Sequence, residues 1–207
     1  MSPRGRMTVR AHDGFVRVAA ALVLACWPLL GWAHAESGRA DGLLAGLQHP
    51  VSGLDHVLAL VSVGLWGAQL GAPAIWLLPL TFPLVMAFGG ALGLMGVPLP
   101  GAQVGIALSA LVLGLAIVTA WRPALWAAAL VVGFFAIFHG HAHGTELPAG
   151  ANGLAYSLGF VAATGALHAC GIGIGTIQRW RPGQAVLRAA GAGVAAAGAA
   201  FLWRALA

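Results

Sequence analysis

Two short polar stretches interrupt an otherwise apolar chain: His49-Pro50-Val51-Ser52-Gly53-Leu54-Asp55-His56 and Phe138-His139-Gly140-His141-Ala142-His143-Gly144-Thr145-Glu146. Between them they hold five of the eight histidines and two of the five acidic residues in the sequence. His139 and His143 are related as i and i+4, so on a helix both imidazoles leave the same face and can share one ion. Asp55 and Glu146 would offset part of a cation's charge. Imidazole suits nickel, copper, zinc and iron, and adding carboxylate with almost no thiolate argues against copper(I). The chemistry points to a divalent transition-metal ion. His49 and His56 lie two turns apart, about 10.5 Å on a straight helix and too far for one ion. Either Pro50 or Gly53 breaks the helix, or His49 is a separate entry ligand. His141 leaves on a different face, where solvation at the membrane interface explains it as well as ligation does.

The elements that must position these groups are transmembrane helices. Hydrophobic residues make up 60% of the 207 positions and charged residues 7%, against about a quarter charged in an ordinary soluble domain. Such a surface faces lipid, where the backbone must satisfy its own hydrogen bonds and open sheets are excluded. An all-α polytopic membrane protein follows. Ionisable side chains inside it are costly, about 2.5 to 3.5 kcal/mol for Asp, Lys or Arg at a helix centre, so each needs a reason. All ten basic residues are arginine; without lysine a GxxxxGK[ST] phosphate loop and Schiff-base chemistry are impossible, and ATP is not a substrate. The net charge of +5 does not mark a nucleic-acid binder, because Arg4, Arg6, Arg10 and Arg17 all precede the first apolar run.

Those arginines, the apolar run from Val18 to Leu30 and the Ala33-His34-Ala35 sequence together read as a secretory signal peptide over residues 1–35, cleaved after Ala35. Retention as an extra helix is the alternative, though the run is short for a full span. His12 and His34 belong to this leader. Cys26 also falls in it, and the Trp27-Pro28-Leu29-Leu30 that follows argues against a lipid-anchored cysteine. The mature chain then has Cys170 alone and no disulfide framework.

Residues 36–207 read as one domain of six spans: Val51–Leu70, Ala74–Met95, Gln103–Ala120, Ala124–His143, Gly153–Gly175 and Gln184–Leu206. The breaks between them are short and rich in proline and glycine, so antiparallel neighbours are expected. A cleaved leader leaves Glu36 outside and puts the linkers near residues 72, 122 and 180 in the cytoplasm. Arginine usage agrees: Arg122, Arg179, Arg181 and Arg188 fall inside, against Arg39 and Arg204 outside. The chain is thus expected in the bacterial inner membrane with both mature termini periplasmic. In that topology the first span begins outside and the fourth ends outside, bringing the two polar stretches to similar depths at one face. Asp55 lies about 9 Å deeper than His49, and His139 about 6 Å deeper than His143.

Other residues read more simply. Gly89 with Gly93, Gly171 with Gly175, and Gly191, Gly193 and Gly198 allow close approach of helices. Pro79 and Pro83 are expected to kink the second span. Trp66, Trp76, Trp121, Trp126, Trp180 and Trp203 near span ends fit an interfacial belt. His168, deeper in the fifth span, and Cys170 after it would make an inner station, but a packed polar residue and a small buried thiol are the simpler reading.

HPVSGLDH and FHGHAHGTE, taken together, resemble the two signatures of the HupE/UreJ family, membrane proteins associated with nickel supply to hydrogenase and urease. The resemblance covers the mature region: signal peptide, six spans, and the order and placement of both motifs. It implies a secondary nickel permease, with cobalt as a further substrate and no catalytic cofactor, that hands metal to maturation proteins. It assigns metal recognition to His49, Asp55, His56, His139, His143 and Glu146, and no role to His141. Ligating histidines must be neutral, so uptake is expected to weaken below about pH 6. Two rival readings remain at this point: a zinc-dependent intramembrane hydrolase using the same histidines with Asp55, and a membrane metal sensor or delivery protein that binds without transporting.

Overall fold

The computed structural model describes residues 42–147 and 152–207. The leader and its cleavage site lie outside the described residues. The elements are α1 (Gly42–Ser52), α2 (Leu54–Leu70), α3 (Ala74–Leu94), α4 (Ala102–Thr119), α5 (Leu125–Thr145), α6 (Gly153–Gly175), a 3-10 turn (Thr176–Arg179) and α7 (Arg181–Leu206). Among the described residues there is no strand. Five helices, α3 to α7, are long and apolar enough to cross a membrane. The α1–α2 pair, bent by 83° at Gly53, makes a sixth crossing if its two halves are taken together. Large apolar side chains such as Leu84, Phe88, Leu130, Phe134 and Leu158 cover the outside, as expected of a surface that meets lipid.

The expected span boundaries agree with the helices to within about three residues. The exception is the first span: helix begins at Gly42 and Gly53 divides it. Gly53 has extended backbone, φ −108° and ψ 124°. Pro50 sits in the last turn of α1, inside the helix. Pro79 and Pro83 likewise stand inside α3 without ending it.

Close helix approach explains how so few polar groups hold the bundle together. Side chains added at Gly89 and Gly93 would overlap the backbone of α5 at Ile137 and His141, and those at Gly140 and Gly144 would overlap α3 at Met86 and Gly90. Gly64 and Gly171 join α2 to α6, and Gly46 and Gly159 join α1 to α6. Gly114, Gly191 and Gly198 join α4 to α7. Bare glycine faces let backbones touch where lipid supplies no hydrophobic drive for association. Gly193, grouped with these from the sequence, meets nothing within 4 Å. The tightest pairs are therefore not consecutive hairpins. Contacts advance in the same sense along α3 and α5 and along α2 and α6, and in opposite senses along α4 and α7, as alternating crossings require.

The tryptophans divide. Trp76, Trp126, Trp180 and Trp203 are exposed, as a belt demands, but Trp66 is fully buried. It stacks on Trp121 at 5.7 Å and donates its indole N–H to the Trp121 carbonyl at 3.0 Å. A fully buried indole needs such a partner, so Trp66 locks α2 to the α4–α5 linker. Nearby, at the end away from the histidines, a cavity of about 150 Å³ is lined by Gln69, Ala120, Arg122, Gln178, Gln184 and Arg188.

Candidate metal centre

The two polar stretches meet at one end of the bundle. α2 opens with Asp55 and His56, α5 closes with His139, His143 and the terminal Glu146, and α1 returns His49 over both. The His56 ring lies 4.9 Å from that of His139 and 4.8 Å from that of His143, and the His49 ring lies 4.7 Å from His143. The helix does break at Gly53, and His49 and His56 each reach His143 while falling in different donor groups.

Two overlapping groups of donors result. His56, His139 and His143 each offer one nitrogen, all within 4.8 Å of one another, and His49, His143 and Glu146 do the same with two nitrogens and a carboxylate oxygen. Small side-chain rotations close such spacings to the roughly 3 to 3.4 Å between donors that each sit about 2.1 Å from one ion. The inner group is enclosed, with His139 at 1% and His143 at 7% exposure. The outer group is open: the Glu146 side chain is 52% exposed and approaches His49 Nε2 at 3.3 Å. His143 belongs to both.

Hydrogen bonds indicate the free nitrogen on two of the three inner rings. His56 Nδ1 bonds Asp55 Oδ1 at 2.9 Å, and a carboxylate can only accept, so Nδ1 carries the proton and Nε2 keeps its lone pair. The Ser109 hydroxyl donates to the Ile106 carbonyl at 2.6 Å. With its one proton committed, Ser109 accepts from His139 Nε2 at 2.9 Å, which leaves His139 Nδ1 as the lone-pair nitrogen. His56 Nε2, His139 Nδ1 and His143 Nδ1 are all buried without a hydrogen-bond partner. Three unpartnered imidazole nitrogens gathered in one enclosed place are costly as they stand, and a cation satisfies them together.

Of the residues singled out in the sequence, His49, His56, His139, His143 and Glu146 contribute donor atoms to these groups. Asp55 enters neither; its carboxylate accepts from both the ring and the backbone N–H of His56, the orienting arrangement common behind metal-bound histidine. His141 is not solvated. It is buried, and its Nε2 meets the Val97 carbonyl at 2.8 Å, tying the α3–α4 linker to α5. Ser109 was not foreseen; a hydroxyl in an apolar span that also holds Thr119 carries little sequence signal. Phe160 packs on His143 at 4.4 Å, Phe82 on His139 at 5.4 Å and Tyr156 near His49 at 5.8 Å, and aromatic residues in apolar helices carry no signal of such contacts.

Comparison with known proteins agrees with the motifs. Residues 19–201 match the sequence profile of the family described as HupE / UreJ protein. The chain is 49% identical over 180 residues to Protein HupE of Rhizobium leguminosarum bv. viciae, covering 86% of this chain and 94% of that protein. No solved structure matches. A match across nearly the whole sequence, with both histidine motifs inside it, establishes that this chain belongs to the HupE/UreJ family.

Proposed function

We propose that this protein is a permease that carries Ni²⁺, with Co²⁺ as a further substrate, across the inner membrane to supply hydrogenase or urease maturation. The observation that carries the reading is the set of three buried, unpartnered imidazole nitrogens on α2 and α5. Family membership supports nickel as the metal; the donor set by itself supports any borderline divalent ion.

In this reading a hydrated ion first meets the open group of His49, Glu146 and His143, exchanging some water for imidazole and carboxylate. It then passes to His56 and His139 while His143, common to both groups, keeps hold. The step trades an exposed site that contains a carboxylate for an enclosed one built from neutral imidazoles. Release inward needs binding weak enough for exit. The membrane potential supplies the drive: a divalent ion entering a negative interior gains about 4.6 kcal/mol per 100 mV without ATP.

The test is uptake of labelled Ni²⁺ by proteoliposomes carrying wild type, His56→Ala or His139→Ala. Accumulation above the external concentration in wild type and at least a tenfold lower rate in both variants are expected. Equal rates in all three would remove the site. Retention at the outer face without accumulation would mark a binding protein, and lipid hydrolysis by the zinc-loaded chain would mark an enzyme.

A further inference from the structure

We propose that Thr164 and His168, on α6, form a second and weaker ligation station for the same divalent cation, deeper in the bundle than the histidine cluster and separated from it by the Phe82 ring. The proposal rests on the permease reading. It begins from two buried polar atoms that the outer groups do not use: Thr164 Oγ1 and His168 Nε2, both without a hydrogen-bond partner, in residues 0% and 2% exposed. They are four residues apart on one helix, so both side chains leave the same face with Cβ atoms about 5 to 6 Å apart, close enough to share an ion.

Pro83 has no N–H, so the Pro79 carbonyl one turn earlier in α3 lacks its helical donor, and His168 lies beside that carbonyl. Its Nε2 is buried without a hydrogen-bond partner, as is His56 Nε2 in the outer cluster. Thr164 is also unlike its counterparts. Thr81, Thr119 and Ser157 each donate to the carbonyl four residues back, the usual fate of a helical hydroxyl, whereas Thr164 Oγ1 has no partner.

Position completes the case. The His168 backbone packs on Gly64 of α2, eight residues past His56 and so about 12 Å further along the helix. Phe82, fully buried, lies edge-on to His139 at 5.4 Å and to His168 at 5.7 Å. Its ring stands between the two sets of free donors. Beyond His168, Gln69 has a buried unpartnered Oε1 and lines the cavity at the far end. One imidazole and one hydroxyl, with water completing the shell, bind less tightly than three imidazoles, as a relay site must if the ion is to leave.

The experiment uses the full chain in proteoliposomes, with His168→Gln and Thr164→Val. His168→Gln keeps a polar side chain of similar reach but replaces imidazole by a poor amide ligand; Thr164→Val keeps the volume and removes the hydroxyl. Both are expected to bind Ni²⁺ at the outer cluster with wild-type affinity by calorimetry, while labelled Ni²⁺ uptake falls at least tenfold in the first and several-fold in the second. In a His56→Ala/His139→Ala background, Co²⁺ absorption should show a weak residual site that His168→Gln erases. Uptake within twofold of wild type in both variants overturns the station, as does a loss of uptake matched by an equal loss of outer-site affinity. Wild-type liposomes that accumulate no Ni²⁺ would instead overturn the permease reading.

Discussion

At the scale of single residues, the candidate metal centre depends on where protons are held. An imidazole ligates only through a nitrogen without a proton, and the partner on its other nitrogen decides which one that is. Asp55 and Ser109 make that choice for His56 and His139. Ser109→Ala removes an acceptor but no donor to metal, and Asp55→Asn removes the negative charge behind His56. Each is expected to lower Ni²⁺ affinity by about 10- to 100-fold with the helical signal unchanged, measured by calorimetry beside circular dichroism. A Ser109→Ala chain with wild-type affinity would show that the His139 tautomer needs no help.

At the scale of elements, two glycines do different work. The extended backbone of Gly53 is open to any residue, but an added Cβ would meet Asp55 Oδ1 at 2.7 Å and His56 Nδ1 at 3.0 Å. Both are mobile side-chain atoms, so Gly53→Ala is expected to fold normally and to bind Ni²⁺ roughly tenfold more weakly by disturbing the orienting pair. Gly140 sits inside the second histidine motif yet faces α3, where a side chain would overlap the Met86 carbonyl. The helices would have to separate. Gly140→Val is expected to destabilise the bundle by about 3 kcal/mol or more, roughly 6 to 12 °C in Tm, readable by thermal shift in detergent. Affinity lost by Gly140→Val without any fall in Tm would contradict this division of labour.

At the scale of the molecule, the histidine cluster and the arginine-lined cavity occupy opposite ends. By the positive-inside rule we propose that the cavity faces the cytoplasm and the histidines the periplasm. With Cys170 replaced by serine, Asn152→Cys should react with a membrane-impermeant maleimide on intact cells, and Arg122→Cys only after lysis. The reverse pattern would turn the protein over and make the cluster an exit. In the proposed orientation a potential of 100 mV supports accumulation of about 10³-fold, and an ionophore that collapses it should abolish uptake against a gradient.

Much of this was legible in the residues themselves. Apolar run lengths located the helices because a membrane span has a set length, and counting spans put Asp55 and His139 at one face because each crossing reverses direction. The spacing of His139 and His143 told of a shared helix face, and the two motifs told of the family. The packing of non-adjacent helices had to come from the fold. That His49 bends back over His143, that Ser109 meets a ring nitrogen on a residue thirty positions away, that His141 and Trp66 serve carbonyls in linkers, and that Phe82 touches both His139 and His168 are all contacts across the bundle. Hydropathy and spacing describe one helix at a time. Which face of one helix meets which face of another is decided only when glycine surfaces interlock in three dimensions.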